Sequence, residues 1–287
     1  MPSTLTKKTN ETAPKKNFFT PTCLPGLRPS TCLFAAWRKE NKKRGEISAP
    51  MGHNYPPMDF KDTATNKLTG LDFDLGNALA ERLGVKIKWQ ETGFEQMLSG
   101  LTTKRVDIVL SGMSDTAERQ KAVTFIDYFT SGPQLYTLAK REDLQALTDL
   151  CGKKVGTSRR TTWPSEIAAW SKENCEAAGK PAIVVIGTEG SADARAQLQQ
   201  NRLDAAMQGS ETIPYLMALD KGKYKPVGLA ISKQFTGLGI EKSNTELVTA
   251  ISEALQGMIE DGTYGKILKK WDLEQGAVEK ISINAGQ

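Results

Sequence analysis

Apolar positions change their spacing along this chain in a regular alternation. In "LTGLDFDLGNALAERLG" (68–84) Phe73, Leu75, Leu79 and Leu83 recur at helical spacing behind Asp72 as a capping residue. "VKIKWQ" (85–90) then alternates apolar and polar like a strand, an amphipathic helix follows in "FEQMLSGLTTKR", and "VDIVL" reads as an apolar strand. After Asp143 the rhythm restarts: strand "KKVGTS", helix "WPSEIAAWSKENCEAAG", strand "AIVVIG", helix "ADARAQLQQ", strand "LDAAM". Strand alternating with helix is the mark of a parallel sheet covered by helices, so two α/β lobes are expected.

The two halves share a frame. Leu101, Arg105, Asp107 and Gly112 recur as Leu198, Arg202, Asp204 and Gly209, and each copy runs from helix through strand into a polar, glycine-containing loop, "SGMSDT" and "QGSET". Ligands of open α/β sheets sit at the carboxyl ends of the strands, so loops of this kind on two facing lobes point to one shared cleft.

Composition narrows the classes. Of the 287 residues, 39% are hydrophobic and 25% charged, as in ordinary soluble domains. The net charge of +5 misleads, because residues 1–50 hold ten Lys/Arg against three Asp/Glu and the remainder 28 against 30. The folded part is not basic, which speaks against a nucleic-acid partner. No apolar run approaches the roughly 20 residues of a membrane span. Residues 1–45 lack periodicity and are expected to form a disordered basic tail. "FFTPTCLPGLRPSTCLFAAW" is broken by three prolines and an arginine, so it makes no clear export signal. His53 is the only histidine, and no Cys, His or acidic cluster at ligand spacing accompanies it, so no metal or other cofactor is implied. Cys151 precedes one strand and Cys175 ends the helix after it. In a strand–helix unit the two meet at one edge of the second lobe, and a disulfide between them is expected, with the oxidising compartment that implies.

The segments "YPPMDF", "LTGLDFDLGNALAERLG", "RVDIVLSGMSDTAERQKAVTFIDYF", "GKKVGTSRRTT", "RLDAAMQGSET" and "DGTYGKILKKW" stand in this order between residues 52 and 273. In them the chain resembles the family 3 solute-binding proteins that deliver polar amino acids to ATP-driven importers. The resemblance implies a type II periplasmic-binding-protein, or flytrap, fold: two lobes, each a mostly parallel sheet flanked by helices, joined by a two-strand hinge. Lobe 1 is expected over 46–138 plus 233–287, lobe 2 over 139–232, with crossover strands near 136–142 and 228–236.

Carried over residue by residue, the resemblance makes Arg119 the holder of a ligand carboxylate, a bidentate task that a planar guanidinium suits. Ser111, Gly112 and Ser114 add hydroxyl and backbone donors, and Ser158 and Thr162 contribute from the second lobe. Tyr55 and Phe94 sandwich the ligand side chain. The chain also departs from the pattern. Gly209 stands where an aspartate usually holds the α-ammonium, leaving Glu211 as a shifted partner; Trp163 occupies an often polar position. Arg159 and Arg160 replace an uncharged pair, which suggests extra negative charge on the ligand. "GEISAPMGHN" is a poor first strand because of Pro50. The function implied is capture of a carboxylate-bearing solute, an amino acid, by a periplasmic monomer that serves the membrane permease of an ABC importer. The alternative is an enzyme like cyclohexadienyl dehydratase, with Glu211 as general acid.

Overall fold

The computed structural model describes residues 45–286, so the expected tail, apart from Gly45, lies outside the described residues. The first lobe runs through β1 (Glu46–Met51), β2 (Asn54–Tyr55), β3 (Asp59–Lys61), β4 (Leu68–Thr69), α1 (Leu71–Leu83), β5 (Lys86–Glu91), α2 (Phe94–Thr102), β6 (Ile108–Val109), the short α3 (Ala117–Gln120) and β7 (Val123–Ser131). The second lobe holds β8 (Pro133–Leu138), β9 (Lys154–Ser158), α4 (Trp163–Asn174), β10 (Val184–Thr188), α5 (Ser191–Gln199), β11 (Ala205–Gly209), α6 (Thr212–Leu219) and β12 (Tyr224–Val227). The chain then returns to the first lobe for β13 (Gln234–Glu241), α7 (Thr245–Glu260), α8 (Thr263–Lys270) and β14 (Ser282–Ile283).

Both lobes are α/β, but their sheets are mixed rather than mostly parallel. In the first, β14, β7, β13 and β6 pair antiparallel in that order, with the parallel pair β1–β5 as a separate ladder. In the second, β10–β9–β11 is parallel, β8 runs against it, and β12, paired antiparallel with β8 at the edge, points the same way as the parallel set. In the second lobe the odd strand is β8, which carries the chain in from the crossover and away from the first lobe, whereas β12 carries it back.

The first crossover lies earlier than the sequence suggested. β7 ends in the first sheet at Ser131, opposite Gln234, and β8 pairs with β11 and β12 from Pro133 on. The chain therefore changes lobes at Gly132 and not at 136–142, and residues 133–138 belong to the second lobe. The return lies between Val227 and Gln234. The two crossing segments touch at Gly132, where a Cβ would collide with the Ser232 carbonyl oxygen.

The doubtful first strand forms. The Gly45 and Met51 carbonyls accept from Lys86 and Thr92 on the β5 side, so the odd-numbered residues of β1 face β5 and the even-numbered ones face β6. Pro50 is even, and its missing N–H costs the β1–β5 ladder nothing.

The repeated frame proves to be a strand clamp. Asp107 donates its N–H to the Ser48 carbonyl (3.0 Å) and accepts from the Ser48 N–H (2.8 Å). Asp204 makes the same pair with Lys154, both bonds at 2.9 Å. Each aspartate thus ties the helix–strand turn to the neighbouring strand and leaves the glycine loop beyond it free for other use.

One core of the first lobe packs Leu71, Leu75, Leu79 and Leu83 of α1 against Leu247, Ile251, Leu255 and Met258 of α7 over the sheet. Each fully buried Leu side chain contributes roughly 1.5–3 kcal/mol of apolar transfer energy. Two smaller cores cover the faces of the second sheet, one around Leu135, Val155 and Ile167, the other around Tyr136, Leu198 and Leu216. The expected disulfide joins Cys151 and Cys175, whose Cα atoms are 5.5 Å apart beside the first of these cores.

Candidate functional site

The strands of both lobes end at a common cleft of about 180 Å³. Nine of the ten residues singled out from sequence line it: Tyr55, Phe94, Ser111, Gly112, Ser114, Arg119, Ser158, Thr162 and Trp163. They come from β2, the start of α2, the loop after β6, the short α3, the end of β9 and the start of α4. Loops after strand ends expose backbone N–H groups, the arrangement expected of a ligand site in such sheets.

The loop after β6 is held from behind. Gly112 has φ of +55°, a left-handed conformation that glycine adopts without strain, and its N–H donates to Asp72 Oδ2 at 2.7 Å. Asp72 is therefore not the cap expected for α1, whose N-cap is Gly70; it is fully buried and also accepts from Tyr128 OH at 2.6 Å. Thr116 caps α3 by accepting from the Arg119 N–H at 3.3 Å. Asp115 accepts from Gln120 Nε2 (2.9 Å) and from the Gly286 N–H (2.8 Å), so the C-terminal segment buttresses the turn that carries Arg119.

Arg119 is half-buried. Its Nη1 donates to the Ser114 carbonyl at 2.8 Å, and its guanidinium carbon stands 5.6 Å from the centre of the Phe94 ring. Among the described residues no carboxylate lies within ion-pair distance of it. Burial pushes its pKa down, opposed by the more distant Glu166 and Asp115. A desolvated cation that faces a cavity with its fork unfilled is a receptor for an anion.

Ser111 is already engaged, for its hydroxyl donates to Asp59. Glu211 does not line the cleft. Its carboxyl folds back into the space that a side chain at Gly209 would fill, and it accepts from Tyr55 OH at 2.5 Å across the lobe boundary. Burial raises its pKa, and the hydroxyl of Tyr55 opposes that rise. The tyrosine ring thus stands between this acid and the cavity.

The arginine pair of the second lobe is neutralised by protein acids. Arg160 pairs with Glu95 of α2 at 2.6 Å and stands 3.8 Å from Glu189, which also pairs with Arg159 at 3.0 Å. These contacts consume the positive charge that had suggested an additional anionic group on the ligand. The Arg160–Glu95 pair spans the two lobes, as does the bond from Gln234 Nε2 to Glu166 at 2.6 Å. His53, which carried no metal signal in the sequence, lines the cleft, as do Gly52 and Asp59, neither of which stood among the expected site residues.

Known proteins are similar to this chain in sequence and fold. The L-cystine-binding protein TcyA of Bacillus subtilis is 32% identical over 234 residues, which cover 80% of this chain and 82% of that protein. The solved structure of the P235GK mutant of ArgBP from T. maritima superposes with a TM-score of 0.72 at 27% identity, over 82% of this chain and 98% of that one. The ancestral amino acid-binding protein AncCDT-1, described as a precursor of cyclohexadienyl dehydratase, superposes with a TM-score of 0.70 at 30% identity over the same shares. Residues 47–274, which run from β1 through α8 across both lobes, match one family throughout, and the chain belongs to the bacterial extracellular solute-binding proteins, family 3.

Proposed function

We propose that this protein captures a small carboxylate-bearing solute, an amino acid, between its lobes and hands it to the permease of an ABC importer. The observation that carries the reading is Arg119, a half-buried guanidinium on the cleft wall with no carboxylate within ion-pair distance among the described residues. Around it Ser114, Ser158 and Thr162 offer hydroxyls, and Tyr55, Phe94 and Trp163 offer aromatic faces for a side chain. The relatives favour the same class, for TcyA carries L-cystine in its name and another relative, ArgT of Corynebacterium glutamicum, is called an arginine-binding protein.

The dehydratase alternative is disfavoured by the placement of Glu211. A general acid must reach the leaving oxygen of its substrate. Here the carboxyl is turned to Tyr55 and lies outside the cavity lining. The disulfide supports residence in an oxidising compartment, the periplasm. Lobe closure about Gly132 and the 228–233 segment would commit the solute, and the scattering radius shrinks on binding if it does. A thermal-shift screen against amino acids, amines and dicarboxylates tests the proposal: amino acids raise the melting temperature, and a response to amines alone refutes it. Turnover of prephenate or arogenate that Glu211→Gln abolishes would replace capture by catalysis.

A further inference from the structure

Three carboxyl groups meet beneath the cleft floor. Asp59 of β3, Asp72 of α1 and Glu211 before α6 are 1%, 0% and 5% exposed, and none belongs to an ion pair among the described residues. Two of them turn to tyrosine hydroxyls, Asp72 to Tyr128 and Glu211 to Tyr55. Asp59 does not. Its Oδ2 accepts from the Gly52 N–H at 2.8 Å and from the Ser111 hydroxyl, while Oδ1 has no partner, and the residue lines the cleft.

Gly52 explains how the carboxylate is reached. It also lines the cleft, and a Cβ there would stand 2.8 Å from Asp59 Oδ2. Its backbone lies outside the left-handed region, so no conformational demand calls for glycine here. The missing side chain opens the approach to Asp59. On the opposite wall, the Gly209 position presents no acid to the cleft, because Glu211 is spent on Tyr55.

We propose that Asp59 receives the α-ammonium group of the ligand, so that the solute is a zwitterion held by Arg119 at its carboxylate and by Asp59 at its ammonium, both from the first lobe. The assignment rests on the carboxylate-solute reading above and adds the second charge. A buried carboxyl beside two other acids is costly as an anion unless a cation joins it. Burial accordingly holds Asp59 up to about 7, with Asp72, Glu211, Tyr55 and Tyr128 as its titratable neighbours and His53 on the cleft wall. An arriving ammonium converts Asp59 to its anion and expels the proton.

The test uses the full chain and calorimetry. The probes are the twenty standard L-amino acids and L-cystine, followed, for the tightest binder, by the analogue in which hydrogen replaces the α-ammonium. Asp59→Asn is expected to weaken the amino acid by on the order of 30-fold or more and the analogue by less than about threefold, whereas Arg119→Ala weakens both. Gly52→Ala keeps the N–H but covers the carboxylate, and it is expected to reproduce the selective loss even if Asp59→Asn does not fold. Titrations of the wild type at pH 7 in two buffers of different ionisation heat should show proton release with the amino acid and none with the analogue. Equal losses for both probes, or no loss in either variant, overturn the assignment and leave carboxylate capture standing. A panel in which nothing binds the wild type overturns both.

Discussion

Replacing Arg119 by alanine removes a cleft cation that no carboxylate pairs with among the described residues. In the unliganded protein its guanidinium keeps a single carbonyl contact, to Ser114, and a ring contact at 5.6 Å with Phe94. The structure around it does not depend on its charge, since the turn is held by the backbone N–H of Arg119 on Thr116 and by Asp115 on Gly286. Truncation should therefore leave the melting temperature of the free protein within a degree or two or raise it slightly, because a desolvated cation disappears. Binding should suffer far more. Removing one partner of a desolvated, hydrogen-bonded charge pair costs about 2–5 kcal/mol, or roughly 30- to 5,000-fold in Kd. Arg119→Lys restores the charge without the planar fork and should recover only part of the loss. Calorimetry on the two variants and the wild type, with the tightest amino acid of the panel, reads these differences. Wild-type affinity in Arg119→Ala would show that the "SGMSDTAER" turn is only a capped helix start.

Three further outcomes follow from the geometry. Opening the Cys151–Cys175 bridge, by reduction or by serine at both positions, frees a loop of about 25 residues and should cost about 3.5 kcal/mol in the chain-entropy model, measured by urea unfolding; an unchanged midpoint contradicts it. Burial raises the carboxyl of Asp59 from 3.8 to about 7 and that of Asp127 to about 6, so the folded state holds protons the unfolded chain has released. Stability of the unliganded protein is then greatest below about pH 4 on their account and declines as pH rises to about 7, a slope that Asp59→Asn should flatten in melts from pH 4 to 8. Arg160→Ala breaks an interlobe pair whose side chains are 50% and 41% exposed, so it should change Kd by less than about fivefold, and a larger loss would mean that Arg160 touches the ligand.

Much of this architecture is visible in the chain because α1, β5, α2 and the second lobe's helices each bury one periodic face, and periodicity reports burial directly. What escaped was decided by hydrogen bonds between distant segments. Pro50 reads as a strand breaker until β6 and β5 are known to lie on opposite sides of β1. Asp72 reads as a helix cap, yet its carboxyl is committed to Gly112, forty residues away. β14 is two residues long and leaves no periodic trace, although the segment that carries it reaches Asp115 and so supports Arg119. Nine cleft residues were found because the resemblance named their positions, not because their local pattern demanded it. Asp59 and Gly52 were missed for the complementary reason: within "MGHNYPPMDF" an acid and a glycine look like loop composition, and only the fold brings their atoms within 2.8 Å.

The most direct test of carboxylate capture is a pair of calorimetric titrations on the wild-type chain, one with the tightest-binding amino acid and one with the amine left when its carboxylate is replaced by hydrogen. The expected result is saturable 1:1 binding of the amino acid and a loss of at least about 30-fold for the amine, the size set by an unfilled Arg119 fork. Equal affinity for the two would contradict the account, because it would mean that the only unpaired cation on the described cleft wall takes no part in holding the solute.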